Sequence, residues 1–271
     1  MTATVVSAPR PSELSTRVSP LAGLRQTVDL AGRTLVQIKH NPMELIDLSL
    51  MPVMFVLLFT YVFGGAVSGS PGAYLNYLLA GLVVQNALFT TMYTGTGLNV
   101  DLQKGVFDRL RSLPIARYAP LTGRILADTV KQAWAITILL AIAMVLGFRI
   151  GTGPLGVLGA YGLLLVFTLA FSWVSVLIGV LAADPEKVQV FGFVTLMPLT
   201  FASGAFVPAA TMPGWLQAWV VVNPVTILAD AVRGLLVGGP VAEPVMWSVL
   251  WAAGIAMVFA PLALRALRRR V

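Results

Sequence analysis

The amino-acid sequence predicts an all-α integral membrane protein that crosses the bilayer six times. Of its 271 residues, 58% are hydrophobic and only 11% are charged, whereas about 25% of the residues of a soluble domain are charged. Six separate apolar runs are each close in length to the ~20 residues that a helix needs to cross the hydrocarbon core. The 18 lysines and arginines also collect on one side of the predicted spans, except for Arg149 and Arg233, as expected of a multi-pass membrane protein.

The part of the chain before the first span has two sections. Residues 1–19 are rich in Ser, Thr, Pro and Arg and lack the apolar core of a signal peptide, so they predict a disordered cytoplasmic tail. Residues 20–41 place Leu24, Val28 and Ala31, among other apolar residues, at spacings of three and four, which predicts an amphipathic helix. A basic amphipathic helix directly before a span favours a position in the membrane interface. A helix packed on a partner protein is the alternative.

Residues 42–271 form the predicted six-span transmembrane domain. The spans are expected at 45–64, 75–95, 130–148, 155–181, 188–206 and 245–264. Because positive residues near span ends remain on the cytoplasmic side, both termini are expected in the cytoplasm. The net charge of +7 is then explained by contact with anionic membrane lipids rather than with nucleic acid.

Two connections between the predicted spans are longer than turns. The cytoplasmic one, 99–128, predicts a short helix that ends before Pro114 and a second segment that leads into the third span. The external one, 207–240, contains a mainly apolar run of only eight residues, which is too short to cross a bilayer and predicts a re-entrant or interfacial helical hairpin. Trp215 and Trp219, on one face of that run, suit the outer headgroup level.

Few polar groups are expected at depth in the spans. Gln85 and Asn86, in the second span, favour hydrogen bonds between helices over contact with a substrate. Asp230 and Arg233, three residues apart in the external connection, suit a local ion pair worth about 0–1 kcal/mol. Because the chain also lacks cysteine and any cluster of ionisable residues at one depth, it predicts neither a metal site nor a catalytic residue.

The cytoplasmic connection carries the first of two recognisable motifs, Asp101-Leu-Gln-Lys-Gly-Val-Phe-Asp-Arg-Leu-Arg-Ser-Leu-Pro114. It resembles the coupling helix of ABC-2 type exporters, specifically the permeases of the daunorubicin and doxorubicin resistance type. The matching positions are two acidic residues, the first more often Glu in the family, a glycine and a Leu-Arg-x-x-Pro ending: Asp101, Gly105, Asp108, Leu110, Arg111 and Pro114.

The second motif lies in the external connection and matches the extracellular re-entrant hairpin of the same family. It consists of Ala202-Ser-Gly-Ala-Phe-Val-Pro208, Met212-Pro-Gly-Trp-Leu216, Asn223-Pro224-Val-Thr226, Asp230 and Arg233. The two motif regions together make the resemblance fairly specific, and it extends over essentially the whole chain.

The resemblance implies a transport subunit without an ATPase site of its own, in agreement with the absence of any Gly-Lys pair and hence of a phosphate-binding loop. A partner nucleotide-binding subunit would hold ATP and Mg, and no cofactor is expected in this chain. The coupling helix, 101–114, would present Val106, Phe107 and Leu110 to that subunit as an apolar knob. An ordinary solvated juxtamembrane helix is the alternative. Two six-span subunits, identical or closely related, would pair.

The implied activity is export of an amphiphilic drug, antibiotic or lipid-like compound from a bacterial cell across its inner membrane by alternating access. A substrate route in such a dimer would use the first, second and fifth spans. Its candidate lining residues, which also suit ordinary packing, are Met51, Phe55, Phe59, Phe89, Met92, Phe193 and Met197. Two other functions stay open, a permease for a lipid-linked polysaccharide and an intramembrane lipid-modifying enzyme. The enzyme requires a cluster of His, Asp or Glu that the sequence lacks.

Overall fold

A computed structural model describes residues 20–40, 42–106 and 119–270, and all regular elements in these ranges are helical. The α-helices are α1 Pro20–His40, α2 Pro42–Leu58, α3 Gly64–Ser68, α4 Pro71–Gln103, α5 Ala119–Val145, α6 Pro154–Leu181, α7 Pro185–Phe201, α8 Gly214–Val222, α9 Pro224–Val237 and α10 Ala242–Arg270. A π-helical turn, Phe59–Phe63, joins α2 to α3, and a 3-10 turn, Ala209–Thr211, precedes α8. The predicted tail, 1–19, lies outside the described residues.

Six of the ten described α-helices begin at a proline. Proline suits this position because the N–H that it lacks would have no helical partner there. Three of these helices also have a side-chain cap that accepts a hydrogen bond from a backbone N–H in the first turn: Ser70 from Ala73, Asp184 from Lys187, and Asn223 from Val225. Hydrogen bonds from the side chain and the backbone of Lys187 hold the pKa of Asp184 below its ordinary value.

Five helical stretches are long and apolar enough to cross a membrane: Ser49–Ala66, Gly72–Gln103, Leu121–Val145, Pro154–Leu181 and Ala242–Arg270. The prediction of an all-helical, multi-pass membrane protein is confirmed. The predicted fifth span, 188–206, corresponds to α7, which ends at Phe201 and has 17 residues. At 1.5 Å per residue, α7 is roughly 25 Å long, slightly less than the ~30 Å of a hydrocarbon core. The count of six spans therefore stays a prediction.

The helix that contains the predicted third span begins well before residue 130. α5 starts at Ala119, so the last ten residues of the predicted cytoplasmic connection, 119–128, are helical. The charged residues of this region are paired: Arg124 with Asp101 of α4, and Lys131 with Asp128, whose Nζ and Oδ1 atoms are 3.6 Å apart. Charges that are paired in this way can be accommodated along a helix, so one helix contains both the second segment of the connection and the predicted third span.

α4 and α6 lie at the centre of the helical bundle. α4 contacts α2, α5, α6, α7 and α9, and α6 also contacts α10. Their facing surfaces contribute fully buried side chains to the core, among them Leu78, Leu88, Leu164 and Phe167. The outer surfaces of α2, α7 and α10 expose many large apolar side chains. Such surfaces fit lipid contact, because soluble proteins rarely expose large apolar patches.

The C-terminus of α6 is held by side chains from two other helices. Asn99 Nδ2 donates to the backbone oxygens of Gly179 and Ala182, each at 2.9 Å, and Arg270 Nη1 also donates to Ala182 O at 2.9 Å. These bonds satisfy carbonyl groups that have no partner within a helix. We call this end of the bundle, where α4, α6 and α10 finish and α5 and α7 begin, the basic end, because it carries Arg124, Lys187 and Arg268–Arg270.

α1 packs on α5 through only part of its predicted apolar face. Thr27 and Ala31 are buried, and Thr27 Oγ1 is 3.2 Å from Thr122 Oγ1. Leu24 and Val28 are instead exposed, by 61% and 53%. The exposed apolar side chains leave α1 suited to lipid contact, and its position in the membrane interface stays a prediction.

Candidate functional site

A cavity of about 380 Å³ lies between α2, α4 and α7. Six of the seven residues predicted to line a substrate route contribute to its wall, two from each helix: Met51, Phe55, Phe89, Met92, Phe193 and Met197. Phe89 and Phe193 meet edge to face, with ring centroids 6.0 Å apart and planes at 78°. The volume is within the ~300–1,000 Å³ of typical small-molecule sites. The structure thus brings together aromatic and thioether side chains that are up to 146 positions apart in sequence.

Phe59 is the predicted residue that does not line this cavity. It lies in the π-helical turn after α2, and its ring stacks on Phe206, with centroids 5.4 Å apart and planes at 27°. The ring also contacts Phe63 at a centroid distance of 5.4 Å. Phe59 therefore belongs to an aromatic cluster beside the cavity.

The polar lining of the cavity is uncharged in the part of the chain that the structure describes. It consists of amides and hydroxyl groups: Gln85, Asn86, Thr90, Tyr93, Thr96 and Gln189. The Asn86 Nδ2 atom is buried and has no hydrogen-bond partner among the described residues. A buried amide without a partner costs free energy until a ligand or water bonds to it. The arrangement suits an amphiphile with apolar rings and hydrogen-bonding groups.

The sequence favours contacts between helices for Gln85 and Asn86, whereas the structure places both on the cavity wall. The wall also contains Thr90, Tyr93 and Thr96, which the sequence analysis does not predict. The signal that could have found them is helical spacing, because side chains three and four residues apart share a face. The cavity wall includes residues at these spacings along α4, at positions 82, 85, 86, 89, 92, 93 and 96.

α8 and α9 form the predicted external hairpin segment and are bent by 68° at Asn223. Asn223 is fully buried, and its Nδ2 atom donates to the backbone oxygens of Leu199 and Ala202, each at 2.9 Å. Pro224 begins α9, and Pro208 caps the short 3-10 turn. Trp215 and Trp219 are exposed by 76% and 45%. Exposure is what the predicted headgroup contact requires.

Arg233 does more than form the predicted local ion pair with Asp230. Its guanidinium carbon lies 4.0 Å from the centroid of the Tyr77 ring, and its Nη2 atom donates to Tyr77 O at 3.3 Å. The Tyr77 hydroxyl in turn donates to Gly204 O at 2.6 Å. The ion pair with Asp230 is present as well. These contacts of Arg233 and Tyr77 join α9, α4 and the turn after α7. They therefore contribute more to packing than an exposed ion pair would.

The predicted coupling helix begins within the last turn of α4. Asp101 belongs to α4, and the chain then turns at Gly105, whose φ is +64°. This left-handed conformation favours glycine because other residues would be strained by their Cβ atoms. Val106 is half-buried. The remaining coupling candidates lie outside the described residues: Phe107, Asp108, Leu110, Arg111 and Pro114.

Comparison with known proteins agrees with the fold and the motifs. The ABC-2 type transporter family model matches residues 25–237. The chain is 43% identical over 238 residues to the daunorubicin resistance ABC transporter permease protein DrrB1 of Streptomyces coeruleorubidus, covering 88% of this chain and 84% of the relative. It is 28% identical over 247 residues to the probable doxorubicin resistance ABC transporter permease protein DrrC of Mycobacterium tuberculosis, covering 88% and 87%.

The long apolar helices and the family match together define a multi-pass membrane transport protein. The chain belongs to the ABC-2 type transporter family. Within that family it is a membrane permease subunit of an ABC exporter, as the resemblance in the two motif regions implied.

Proposed function

We propose that the cavity between α2, α4 and α7 receives the exported compound and that this compound is an amphiphilic drug, antibiotic or lipid-like molecule. The observation that carries the proposal is the convergence of six aromatic and thioether side chains on one cavity with an uncharged polar lining. The relatives named for daunorubicin and doxorubicin resistance support the same class of compound. A lipid-linked polysaccharide fits a mainly apolar cavity of about 380 Å³ less well.

We also propose the arrangement of the subunit in its membrane. The basic end faces the cytoplasm of a bacterial cell, with both termini on that side of the inner membrane, because positive residues remain there. α7 is the fifth of six spans, and α8 with α9 forms a re-entrant hairpin on the outer side. α1 lies in the inner interface, where Leu24 and Val28 contact lipid.

Two permease subunits, identical or closely related, pair and bind ATPase subunits that hold ATP and Mg. The segment after α4, from Gly105 to Pro114, docks on the ATPase, and its movement drives alternating access of the cavity. The left-handed conformation of Gly105 supports this proposal, because it ends α4 at the start of that segment.

The substrate cavity is tested by a matched pair of substitutions on α7. Phe193→Ala removes a ring that lines the cavity, whereas Phe191→Ala removes one that is equally exposed but does not line it; the exposed fractions are 48% and 53%. Phe193→Ala is expected to raise the daunorubicin concentration for half-maximal transport about 5- to 30-fold, equivalent to ~1–2 kcal/mol of lost apolar contact. The measurement is drug uptake into inverted vesicles. Equal effects of the two substitutions would contradict the assignment of the cavity.

ATPase docking is tested by co-purification of the detergent-solubilised permease with its partner. Leu110→Ala is expected to lower recovery of a subunit with ATPase activity about tenfold, the equivalent of ~1.4 kcal/mol of binding free energy. Leu155→Ala, at an 85% exposed position in the first turn of α6, at the opposite end of the bundle, is the matched control and should leave recovery unchanged. If the wild-type chain recovers no ATPase, the proposed partnership is wrong.

A further inference from the structure

The basic end contains a chain of charged side chains that connects α4 with α5. Arg124 Nη1 forms an ion pair with Asp101 Oδ2, across the two helices. One turn further along α5, Lys131 Nζ is 3.6 Å from Asp128 Oδ1. The side chains of Arg124 and Asp128 are only 21% and 11% exposed, so their interactions are less weakened by solvent than those of surface pairs.

Gly97 allows Arg124 to reach Asp101. The guanidinium group of Arg124 lies directly against the backbone of α4 at this position, and a Cβ atom on residue 97 would overlap Arg124 Nη2. Because residues four apart in a helix lie on the same face, Gly97 is directly beneath Asp101 on the path of the arginine. A larger residue at position 97 would displace the guanidinium group and weaken the ion pair.

Arg124 is also close to a second carboxylate to which it is not hydrogen-bonded. Its Nε atom is 4.0 Å from Asp128 Oδ2. Both atoms are buried, and neither has a hydrogen-bond partner among the described residues. A shift of roughly 1 Å would bring them to the 2.7–2.9 Å of a charge-assisted hydrogen bond. The guanidinium group therefore has two acceptors available, Asp101 on α4 and Asp128 on its own helix.

Asp128 lies between these ion pairs and the cavity. It lines a small polar pocket between α4, α5 and α6, together with Thr90, Gln132 and Ser172 among others. Gln132 is 3% exposed, and both its amide oxygen and its amide nitrogen lack partners within the described ranges. Thr90 lines both this pocket and the cavity between α2, α4 and α7. Asp128 and the cavity wall are thus separated by one small polar pocket, with Thr90 lining both.

We propose that Arg124 is a positioning residue that exchanges between Asp101 and Asp128 and so transmits movement of the segment after α4 to α5 and to the cavity. The inference rests on the proposed function, since ATPase docking supplies the movement. When the end of α4 moves away, Arg124 loses Asp101 and bonds to Asp128, which offers the buried acceptor. Coupling between two sites requires an element with two discrete arrangements whose equilibrium both sites can shift. Arg124, with its two possible acceptors, is such an element.

The first test measures, in the permease alone, how firmly the ion pair holds the end of α4 to α5. Because the chain has no cysteine, spin labels attached only through Lys104→Cys and Trp134→Cys report the distance between the end of α4 and α5 in lipid nanodiscs. Asp101→Asn and Arg124→Gln should each broaden the distance distribution, and the double substitution should broaden it no further. Asp128→Asn, which removes the charge of the second acceptor but keeps the Arg124–Asp101 pair, should leave it as narrow as in the wild type.

A matched control and a second variant complete this test. Lys187→Gln breaks another ion pair at the basic end, Lys187 Nζ to Asp184 Oδ2 at 2.9 Å, and should not change the distance. Gly97→Ala displaces the guanidinium group without removing a charge and should broaden the distribution as Arg124→Gln does. If Arg124→Gln fails to fold, Gly97→Ala carries the test alone. A distribution unchanged by the variants that fold, or additive broadening in the double variant, would overturn the proposal.

The second test measures coupling in the permease–ATPase complex reconstituted in vesicles. Arg124→Gln and Asp128→Asn should each lower the daunorubicin transported per ATP hydrolysed by about 2- to 30-fold, with ATP hydrolysis retained. Arg124→Lys should restore part of the loss, and Lys187→Gln should resemble the wild type. Unchanged transport per ATP in both variants would overturn the proposed exchange of Arg124 between its two acceptors. A wild-type chain that binds no ATPase would instead refute the proposed function and leave the distance result standing.

Discussion

Replacing Asn223 by alanine is expected to lower the free energy of unfolding by about 2–5 kcal/mol, the sum of a lost helix cap and of buried carbonyls left without donors. Asn223 is fully buried, and its amide is used on both sides. Nδ2 donates to Leu199 O and Ala202 O, each at 2.9 Å, and Oδ1 accepts from Val225 N at 2.8 Å. One side chain thus fastens the end of α7 to the start of α9.

Asn223→Asp separates the two roles of this side chain. Aspartate caps a helix about as well as asparagine, but it replaces the donor Nδ2 with an oxygen that faces two carbonyl oxygens. We therefore expect Asn223→Asp to be at least as destabilising as Asn223→Ala, measured by denaturant unfolding in detergent with tryptophan fluorescence. Asn76→Ala, at an exposed position of α4, should change the free energy by less than about 0.5 kcal/mol. A fully stable Asn223→Asp variant would show that only the cap matters.

Replacing Gly179 by alanine is expected to destabilise the crossing of α4 and α6 by about 1–3 kcal/mol, the usual cost of overpacking a core. A Cβ on Gly179 would overlap the backbone oxygen of Gly95, and a Cβ on Gly95 would overlap that of Ser175. The two helices are in backbone contact here, as small residues permit in membrane helices. Thr91 and Ser175 join the same helices nearby through hydroxyl groups 2.8 Å apart.

Gly162→Ala is the matched control for this substitution. It lies in the same helix, and no described atom outside the helix backbone would come within 4 Å of its Cβ. Alanine is the better helix former by about 1 kcal/mol, so Gly162→Ala should leave thermal stability unchanged or raise it. The opposite signs of the two substitutions are the critical result. If Gly179→Ala also raises the melting temperature, the close crossing of α4 and α6 is wrong.

Helical spacing in the sequence predicts most, but not all, of the residues that line the candidate cavity. Phe89 and Met92 on α4, and Phe193 and Met197 on α7, follow helical spacing, so the sequence could group them by face. Phe59 fitted the same spacing after Phe55, yet the π-helical turn that contains it and the ring of Phe206 place it in a neighbouring cluster. The departure from α-helical geometry at residues 59–63 has no simple spacing signal.

The role of a polar residue in a span depends on which helices lie opposite it. Asn86 suits a contact between helices and a cavity wall equally well by residue type, and only the position of α2 and α7 assigns it to the cavity. Asp128 was expected at the end of the cytoplasmic connection, whereas it lies within α5, close to Arg124 and Lys131. Only the pairing of these charges shows how they are accommodated along one helix.

By itself, the sequence determined that this protein is a helical, multi-pass membrane protein and that it carries the motifs of an exporter permease. Those conclusions depend on residue type and on spacing within a few turns, which a linear pattern preserves. Only the tertiary structure decided that Arg233 contacts Tyr77, 156 positions away, and that Asn99 caps the end of α6, 83 positions away. Contacts over such separations depend on how the helices pack against one another, and no local pattern encodes that packing.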